Sequence, residues 1–264
     1  MLDSLPIPPD EMRPLVGPTD PEAFDNPDGS LVLPGVEAER YDAVFDWGCG
    51  CGRLARQLIQ QNPRPRRYLG IDLHRGMVEW CEHNLAPHAP EFEFRHHDVF
   101  ELGFNPGPEK ARWLPFPAED GGFSLAIAWS VFTHVNEEQA VRYLHEMRRI
   151  LRPDGLLLST WFLFDKAEFP MMQDFQNALF INDINPTGAV IFDRVWLRKT
   201  AQEAGFVIVE AVPPEIRGYQ WIVHLAPVEA GRVEIDLPED HAPLGRMPPP
   251  IGPANAYEVG LDPA

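Results

Sequence analysis

Short apolar runs alternate with longer amphipathic segments through the middle of the chain. Seven runs have the length of β-strands, at residues 42–47, 67–72, 92–97, 123–129, 155–162, 205–212 and 219–226. Four segments between them have helical spacing, at residues 52–61, 77–85, 137–151 and 193–204. Because parallel strands are joined by helical crossovers, we expect an α/β fold with helices on both faces of the sheet. The last two runs have no helix between them, which predicts a seven-stranded, mostly parallel sheet closed by an antiparallel hairpin.

The third helix shows the pattern most clearly. Val141, Leu144, Met147 and Leu151 recur with a period of about 3.6 residues. The sequence RPDG follows at 152–155, where proline and glycine predict a turn that ends the helix and leads into the next strand.

Proline-rich segments flank the alternating region. Residues 1–40 contain eight prolines and little periodicity, which predicts an N-terminal arm outside the core. Residues 227–264 are similar in character and are expected to form a C-terminal tail. The α/β domain is therefore expected at residues 41–226, and the aromatic and methionine content of about 162–192 favours a lid or acceptor insertion.

Composition narrows the classes of function. Of 264 residues, 44% are hydrophobic, as in globular proteins, and the formal charge is -18. Nucleic acid is disfavoured as a partner, because binding its phosphates relies on Lys and Arg.

The same composition bears on the cellular compartment. The two most apolar runs, 123–132 and 155–164, fall short of the roughly 20 residues that a membrane helix needs. No secretory signal is visible at the first residues, and Cys49, Cys51 and Cys81 are most simply reduced thiols. We expect a cytoplasmic protein without a membrane span.

The stretch VFDWGCGCGRL, at residues 44–54, carries the first chemical signal. A strand that ends near Asp46 and a helix that begins near Gly52 place three alternating glycines in the first βα turn. Glycine there permits positive φ and close approach of a ligand to the backbone. A metal site is disfavoured, because Cys49 and Cys51 have no second cysteine pair. A dinucleotide site is also disfavoured, since its third glycine position holds Arg53.

The remaining pattern, D-x-G-x-G-x-G, resembles that of the class I S-adenosylmethionine-dependent methyltransferases. Four later motifs fall in register with that family: YLGID ending at Asp72, RHHDVF with Asp98, LPFPAEDGGFSLAIAWSVFTHV, and RILRPDGLLLST. Together these motifs cover about residues 40–225. The resemblance implies a Rossmann-like sheet and S-adenosylmethionine as cofactor.

The resemblance also implies roles for individual residues. Asp46 is expected to orient the amino end of the cofactor, Asp72 to bind both ribose hydroxyls and Asp98 to lie near the adenine amino group. The residues expected to bind the cofactor are Asp46, Gly48, Cys49, Gly50, Gly52, Asp72, Leu73, Met77, Asp98, Val99, Trp129 and Ser130. Four of these residues have a plain structural alternative: Asp72 as a helix N-cap, Asp98 in a surface turn, and Met77 and Trp129 in the core.

SVFTHV, at residues 130–135, supplies the candidate for catalysis. Methyl transfer is an in-line displacement, and a hydroxyl nucleophile is helped by a base that removes its proton. His134 is the best candidate for that base, although a histidine here can also cap a helix or hold the loop. Asp165 and Glu168 have no metal-ligand spacing, so no metal is expected.

The acceptor is indicated by resemblance alone. The segment 100–126 and the excursion after the fifth strand resemble a subgroup of bacterial methyltransferases, many of which act on sugars, glycoconjugates or related hydroxylated metabolites. We expect O-methylation of a hydroxyl on a small molecule such as a sugar. N- or C-methylation of another small metabolite, and a non-catalytic interaction module, stay open, as does a homo-oligomer.

Overall fold

The fold is given by a computed structural model that describes residues 5–107, 109–181 and 184–240. The described residues contain nine strands: β1 (Ala43–Trp47), β2 (Arg67–Asp72), β3 (Phe92–His96), β4 (Phe123–Ala128), β5 (Leu151–Phe164), β6 (Ala178–Phe180), β7 (Val190–Asp193), β8 (Phe206–Val212) and β9 (Trp221–Pro227). Four α-helices accompany them: α1 (Arg53–Gln60), α2 (Arg75–Asn84), α3 (Glu137–Ile150) and α4 (Arg194–Glu203). Every predicted strand and helix is present, with ends shifted by a few residues.

The sheet is mixed and mostly parallel. Its strands run in the order β3-β2-β1-β4-β5, with all neighbouring pairs parallel, and β9 then pairs antiparallel with both β5 and β8. The predicted Rossmann-like fold with a closing antiparallel hairpin is confirmed. The carboxyl ends of β1, β2 and β4 consequently lie at one edge, where open parallel sheets bind ligands.

The long strand β5 differs from the prediction in two ways. Its register against β4 jumps from Leu151 opposite Phe123 to Leu156 opposite Leu125, so RPDG lies in a bulge of the strand and not in a turn before it. Its last residues, 162–164, pair in parallel with β7, and β7 pairs antiparallel with β6. These two strands fall in the predicted insertion, and each is too short to show a period of two.

Helices cover both faces of the sheet, as predicted, and each face has its own apolar cluster. Phe45 of β1 packs in the cluster that includes Leu144 of α3 and Leu197 of α4. Its neighbour Val44 points the other way, into the cluster with Leu58 of α1. Successive side chains of β1 therefore belong to the apolar clusters on opposite faces of the sheet.

The N-terminal arm is packed against the domain. Leu5, Leu33 and Val36 are buried in the cluster that contains α1 and α2, so the expectation that residues 1–40 lie outside the core does not hold for these side chains. Arg56 of α1, which is 4% exposed, holds the arm in place. Its guanidinium donates hydrogen bonds to the carbonyls of Leu5, Pro6 and Phe24 and pairs with Asp25. A single helix residue therefore provides the hydrogen-bond donors for three backbone carbonyls of the arm.

The first part of the tail also packs on the domain. The N–H of Ile235 donates to the carbonyl of Ile208 in β8, and Arg198 of α4 pairs with Glu234 and Asp236. Residues 241–264 of the predicted tail lie outside the described residues. No helix in the described part of the chain is long and apolar enough to cross a bilayer.

Candidate functional site

A cavity of about 520 Å³ opens at the carboxyl ends of β1, β2 and β4. Most residues predicted to form the site line it: Asp46, Gly48, Cys49, Gly50, Asp72, Leu73, Met77, Val99, Trp129, Ser130 and His134. Segments that are far apart in the sequence therefore converge on one space. Among the described residues, no three His, Cys, Asp or Glu side chains are grouped so as to hold a metal ion.

The glycine loop forms the floor of this cavity. The N–H groups of Gly48 and Cys49 both donate to the carbonyl of Ile71 in β2. Gly48 and Gly50 have φ of 81° and 54°, values that L side chains rarely adopt. A Cβ at Gly48 would lie 2.4 Å from the Val131 side chain, and one at Gly50 would lie 2.5 Å from that of Val16. The loop conformation and its close neighbours therefore both require glycine.

Asp72 ties the loop to the start of α2. One carboxylate oxygen accepts the N–H of Gly50 at 2.8 Å, and the other accepts the N–H of His74 at 2.7 Å. Burial raises the pKa of Asp72, whereas these two backbone hydrogen bonds lower it. The N-cap of α2 is His74 and not Asp72. The acid thus faces the cavity with one backbone donor already bound to each oxygen.

Asp46 is buried at the end of β1 and holds one unsatisfied oxygen. The hydroxyl of Tyr68 donates to its Oδ2 at 2.6 Å, while Oδ1 has no hydrogen-bond partner among the described residues. Burial raises the pKa of Asp46 to about 6, against the lowering effect of the Tyr68 hydrogen bond. An orphaned carboxylate oxygen in a cavity wall is a site that favours a positively charged donor.

Arg53 adds the opposite charge to the same cavity. It begins α1 directly after Gly52, and its guanidinium lies 6.0 Å from the centre of the Trp129 ring. Burial lowers the pKa of Arg53, and the charge of Asp46 opposes that shift. In the sequence, Arg53 stood out only as the residue that breaks the dinucleotide motif. Its position in the first turn of α1, directly after the glycine loop, is the sequence feature that could have placed it at the cavity.

Two predicted residues do not line the cavity. Gly52 lies beneath it, where a Cβ would come within 2.9 Å of the Cys81 sulfur. The Asp98 carboxylate is 2.8 Å from the Lys110 ammonium and accepts a hydrogen bond from Asn105, and these contacts lower its pKa to about 2. Since β3 ends at His96, the next residue, His97, faces the cavity and Asp98 points outward.

His134 ends a short 3₁₀ turn, Phe132–His134, that follows β4. Its Nδ1 lies 3.2 Å from the carbonyl oxygen of Thr187. Because a carbonyl only accepts, Nδ1 carries the proton and Nε2 keeps its lone pair. Burial lowers the pKa of His134, and the Thr187 carbonyl, the Glu101 carboxylate and the Gly188 carbonyl oppose that shift. The imidazole is therefore neutral at pH 7 and can accept a proton at Nε2, while it also holds the loop to the insertion.

A second cavity of about 250 Å³ adjoins the first. Phe100, Glu101, His134 and Gln139 line both cavities. Arg112, whose guanidinium lies 4.1 Å from the centre of the Phe100 ring, lines only the second. His134 thus lies where the two spaces meet.

Residues of the arm were not predicted at the site. Pro14, Leu15, Val16 and Gly17 form part of the cavity wall, and Val16 packs on Gly50. Their proline-rich context carried no periodic signal that could have placed them there.

Ser130, at the end of β4, has an unusual backbone. Its φ is 59°, in the left-handed region, and its N–H donates to the Thr160 hydroxyl at 2.7 Å. Its own hydroxyl donates to the Gln220 side chain at 3.0 Å. Such a conformation costs of order 1–3 kcal/mol and is typical of functional sites.

Comparison with known proteins agrees with this geometry. Residues 44–155 match the methyltransferase domain family. A SAM-dependent methyltransferase from Methanosarcina mazei has a similar fold, with a TM-score of 0.50 at 17% identity over 74% of this chain and 97% of that chain. The match identifies residues 44–155 as a domain of the methyltransferase family, and the Methanosarcina mazei structure shows the same fold.

Two curated relatives match about half of the chain. An uncharacterized methyltransferase of Emericella nidulans is 29% identical over 136 residues, which are 50% of this chain and 44% of the relative. An uncharacterized 37.1 kDa protein in a transposon of Streptomyces fradiae is 29% identical over 129 residues, 49% of this chain and 32% of the relative. The chain therefore spans less than half the length of either relative.

Proposed function

We propose that this protein binds S-adenosylmethionine in the larger cavity and methylates a hydroxyl of a small molecule. The single observation that carries the proposal is the unsatisfied Oδ1 of Asp46 in a cavity that also holds Arg53. One wall thus presents a carboxylate and a guanidinium, which suit the ammonium and the carboxylate of a free amino acid. S-adenosylmethionine has such an end, and when bound it supplies an electrophilic methyl group on a sulfonium.

The rest of the cavity fits the nucleoside. Asp72 keeps an acceptor lone pair on each oxygen beyond the backbone donors that it binds, which suits the two hydroxyls of a ribose. Leu73, Met77 and Val99 supply apolar contacts beside it for a planar base. The flexible thioether of Met77 suits an irregular gap of this kind.

Aromatic rings line the remaining wall. Trp47, Trp129 and Tyr143 all face the cavity, and the Trp47 and Tyr143 ring centres are 4.3 Å apart. Aromatic faces attract cations, so this wall favours a sulfonium over a neutral group.

His134 is the proposed base. Its Nε2 lone pair is fixed by the Nδ1 hydrogen bond to Thr187, and the residue lies at the junction with the second cavity. A hydroxyl of an acceptor in that cavity would give its proton to Nε2 as the oxygen attacks. The second cavity, about 250 Å³ in volume, is large enough for a small cyclic molecule such as a sugar.

Transfer of a labelled methyl group tests the proposal. Purified protein is mixed with S-adenosylmethionine labelled at the methyl group and with a panel of small molecules in matched hydroxyl and amine forms, sugars included. We expect label on the hydroxyl forms, and we expect His134→Gln to lower kcat by about 10²–10⁴-fold. Transfer to the amine forms alone, or an unchanged kcat in the variant, would contradict the assignment of the base.

A further inference from the structure

We propose that Glu101 is a positioning residue for His134, acting through the turn Pro186–Gly188 of the insertion. This inference rests on the proposed function, in which His134 is the base. It assigns the insertion a direct part in building the site, through a carboxylate that lies between β3 and β4 in the sequence.

Glu101 is held rigidly where the two cavities meet. The residue is 9% exposed, and its Oε2 accepts the N–H groups of Gly103 and Phe104 at 2.6 and 2.8 Å. Two backbone donors on one oxygen fix the direction of the side chain. The other oxygen, Oε1, is thereby directed at the insertion.

Two side chains of the insertion lie close to Oε1 of Glu101. Asn185 Nδ2 lies 3.5 Å from Oε1, and the Thr187 hydroxyl lies 3.4 Å from it. The same hydroxyl is 3.1 Å from the Asn185 side-chain oxygen, so the three groups form one polar cluster. The Thr187 carbonyl then accepts the hydrogen bond from His134 Nδ1 at 3.2 Å. Glu101 therefore holds the residue that sets the tautomer of His134.

The charge of Glu101 matters as well as its contacts. When His134 accepts a proton, the buried imidazolium is stabilised by a carboxylate on the same cavity wall. Other charged side chains around the second cavity are Arg112, Glu138 and Arg142. Arg142 is paired with Glu138 at 2.8 Å, and Arg112 lies over the Phe100 ring. Asp46, Arg53 and Asp72 line the larger cavity, and among the charged side chains of the second cavity it is the Glu101 carboxylate that raises the pKa of His134.

A purely structural role for Glu101 makes a different prediction. Glu101 could hold the insertion without affecting His134, in which case its removal would lower stability and leave the titration of the histidine unchanged. Asp98 provides the matched control, because it lies in the same connection between β3 and β4 with its carboxylate outside the cavity. Asp98→Asn removes the same charge at nearly the same place in the sequence.

The experiment follows the His134 imidazole by NMR as pH is varied. Its Cε1–H signal is assigned by its loss in His134→Gln, and titrations compare Glu101→Gln, Thr187→Val and Asp98→Asn with the unmodified protein. We expect Glu101→Gln to lower the midpoint for His134 by about half a pH unit or more, because the imidazolium loses its counter-charge. Thr187→Val keeps the backbone carbonyl that accepts from His134, so we expect it to shift the His134 midpoint less. Asp98→Asn is expected to leave the His134 midpoint unchanged.

Glu101→Asp separates charge from packing. It keeps the charge but shortens the side chain, so we expect its His134 midpoint to lie closer to that of the unmodified protein than Glu101→Gln does. An unchanged His134 midpoint in Glu101→Gln, or an equal shift in Asp98→Asn, would overturn the proposal.

The titration is read with and without S-adenosylhomocysteine, and binding of that product is measured by calorimetry in the same samples. Absence of binding would count against the proposed function. It would leave the link between Glu101 and His134 to be decided by the titration of the protein alone.

Discussion

The hydroxyl of Tyr68 lies 2.6 Å from Oδ2 of Asp46 and joins two buried side chains on the neighbouring strands β2 and β1. Burial raises the pKa of Tyr68 well above its usual range, so the phenol keeps its proton and acts as the donor. The bond occupies one oxygen of Asp46, which lines the cavity, and leaves Oδ1 without a hydrogen-bond partner among the described residues. Tyr68 therefore orients the acid that is proposed to bind the amino end of the cofactor.

Tyr68→Phe should weaken the binding of S-adenosylhomocysteine. Without its donor, the buried Asp46 carboxylate is harder to ionise, so its pKa rises above about 6 and the neutral acid persists to higher pH. We expect roughly tenfold weaker binding at pH 7 in calorimetry, with the loss becoming larger as pH falls. Tyr41→Phe is the control, because its hydroxyl accepts the Leu33 N–H away from the cavity. Equal loss of affinity in both variants would contradict a specific role for Tyr68.

Asp46→Asn should separate stability from binding. The pKa of Asp46 is raised in the folded protein, from 3.8 to about 6, so its contribution to stability is full below pH 3.8 and is lost as pH rises through about 6. An asparagine side chain does not ionise, so the variant does not lose stability at this position as pH rises. We expect it to be more stable than the unmodified protein at pH 7.5, by up to about 3 kcal/mol, with little difference at pH 4.

The same variant should bind S-adenosylhomocysteine about 10- to 100-fold more weakly, because a charged partner of the ammonium is gone. Urea unfolding at the two pH values and calorimetry measure the two effects. A variant that is less stable at pH 7.5 and binds normally would contradict the account of Asp46.

Arg56→Met should release the N-terminal arm. The substitution leaves the carbonyls of Leu5, Pro6 and Phe24 without their donor, which should cost about 2–4 kcal/mol in the free energy of unfolding. Chymotrypsin should cut at Leu5 or Phe24 faster under native conditions, as mass spectrometry can show. Binding of S-adenosylhomocysteine should also weaken, since the arm forms part of the cavity wall.

The control for the arm is Arg64→Met. Arg64 is 39% exposed in its side chain and pairs with Glu91 at 3.0 Å, so its loss should change the free energy of unfolding by less than about 1 kcal/mol. Equal protease sensitivity of the two variants would mean that Arg56 does not anchor the arm.

The sheet was predictable because its strands are long enough to show a pattern. FSLAIA in β4 is buried throughout, and an apolar run of this length between helical segments is typical of a buried parallel strand. By contrast, β6 has three residues and β7 has four, so neither contains enough positions for an alternation. The RPDG bulge was missed because proline and glycine signal a break without telling a turn from an irregular strand.

The site was predictable where backbone conformation constrains the residue type. Gly48 and Gly50 are required by their φ values, and that requirement is visible in the sequence. Tyr68 and Glu101 were not predictable, because their roles come from contacts with Asp46 and Thr187 that exist only in the folded chain. Asp98 was predicted to bind the cofactor from the resemblance alone, and the end of β3 turns it outward.

Calorimetry with S-adenosylhomocysteine tests the central claim most directly, using the unmodified protein, Asp72→Asn and Asp98→Asn. The two substitutions are isosteric and remove one charge each, but only Asp72 lines the cavity. We predict binding by the unmodified protein in the micromolar range, near −8 kcal/mol, and a loss of about tenfold or more in Asp72→Asn. Asp98→Asn should bind like the unmodified protein. No binding by the unmodified protein, or equal affinity of Asp72→Asn and Asp98→Asn, would contradict the proposed cofactor site.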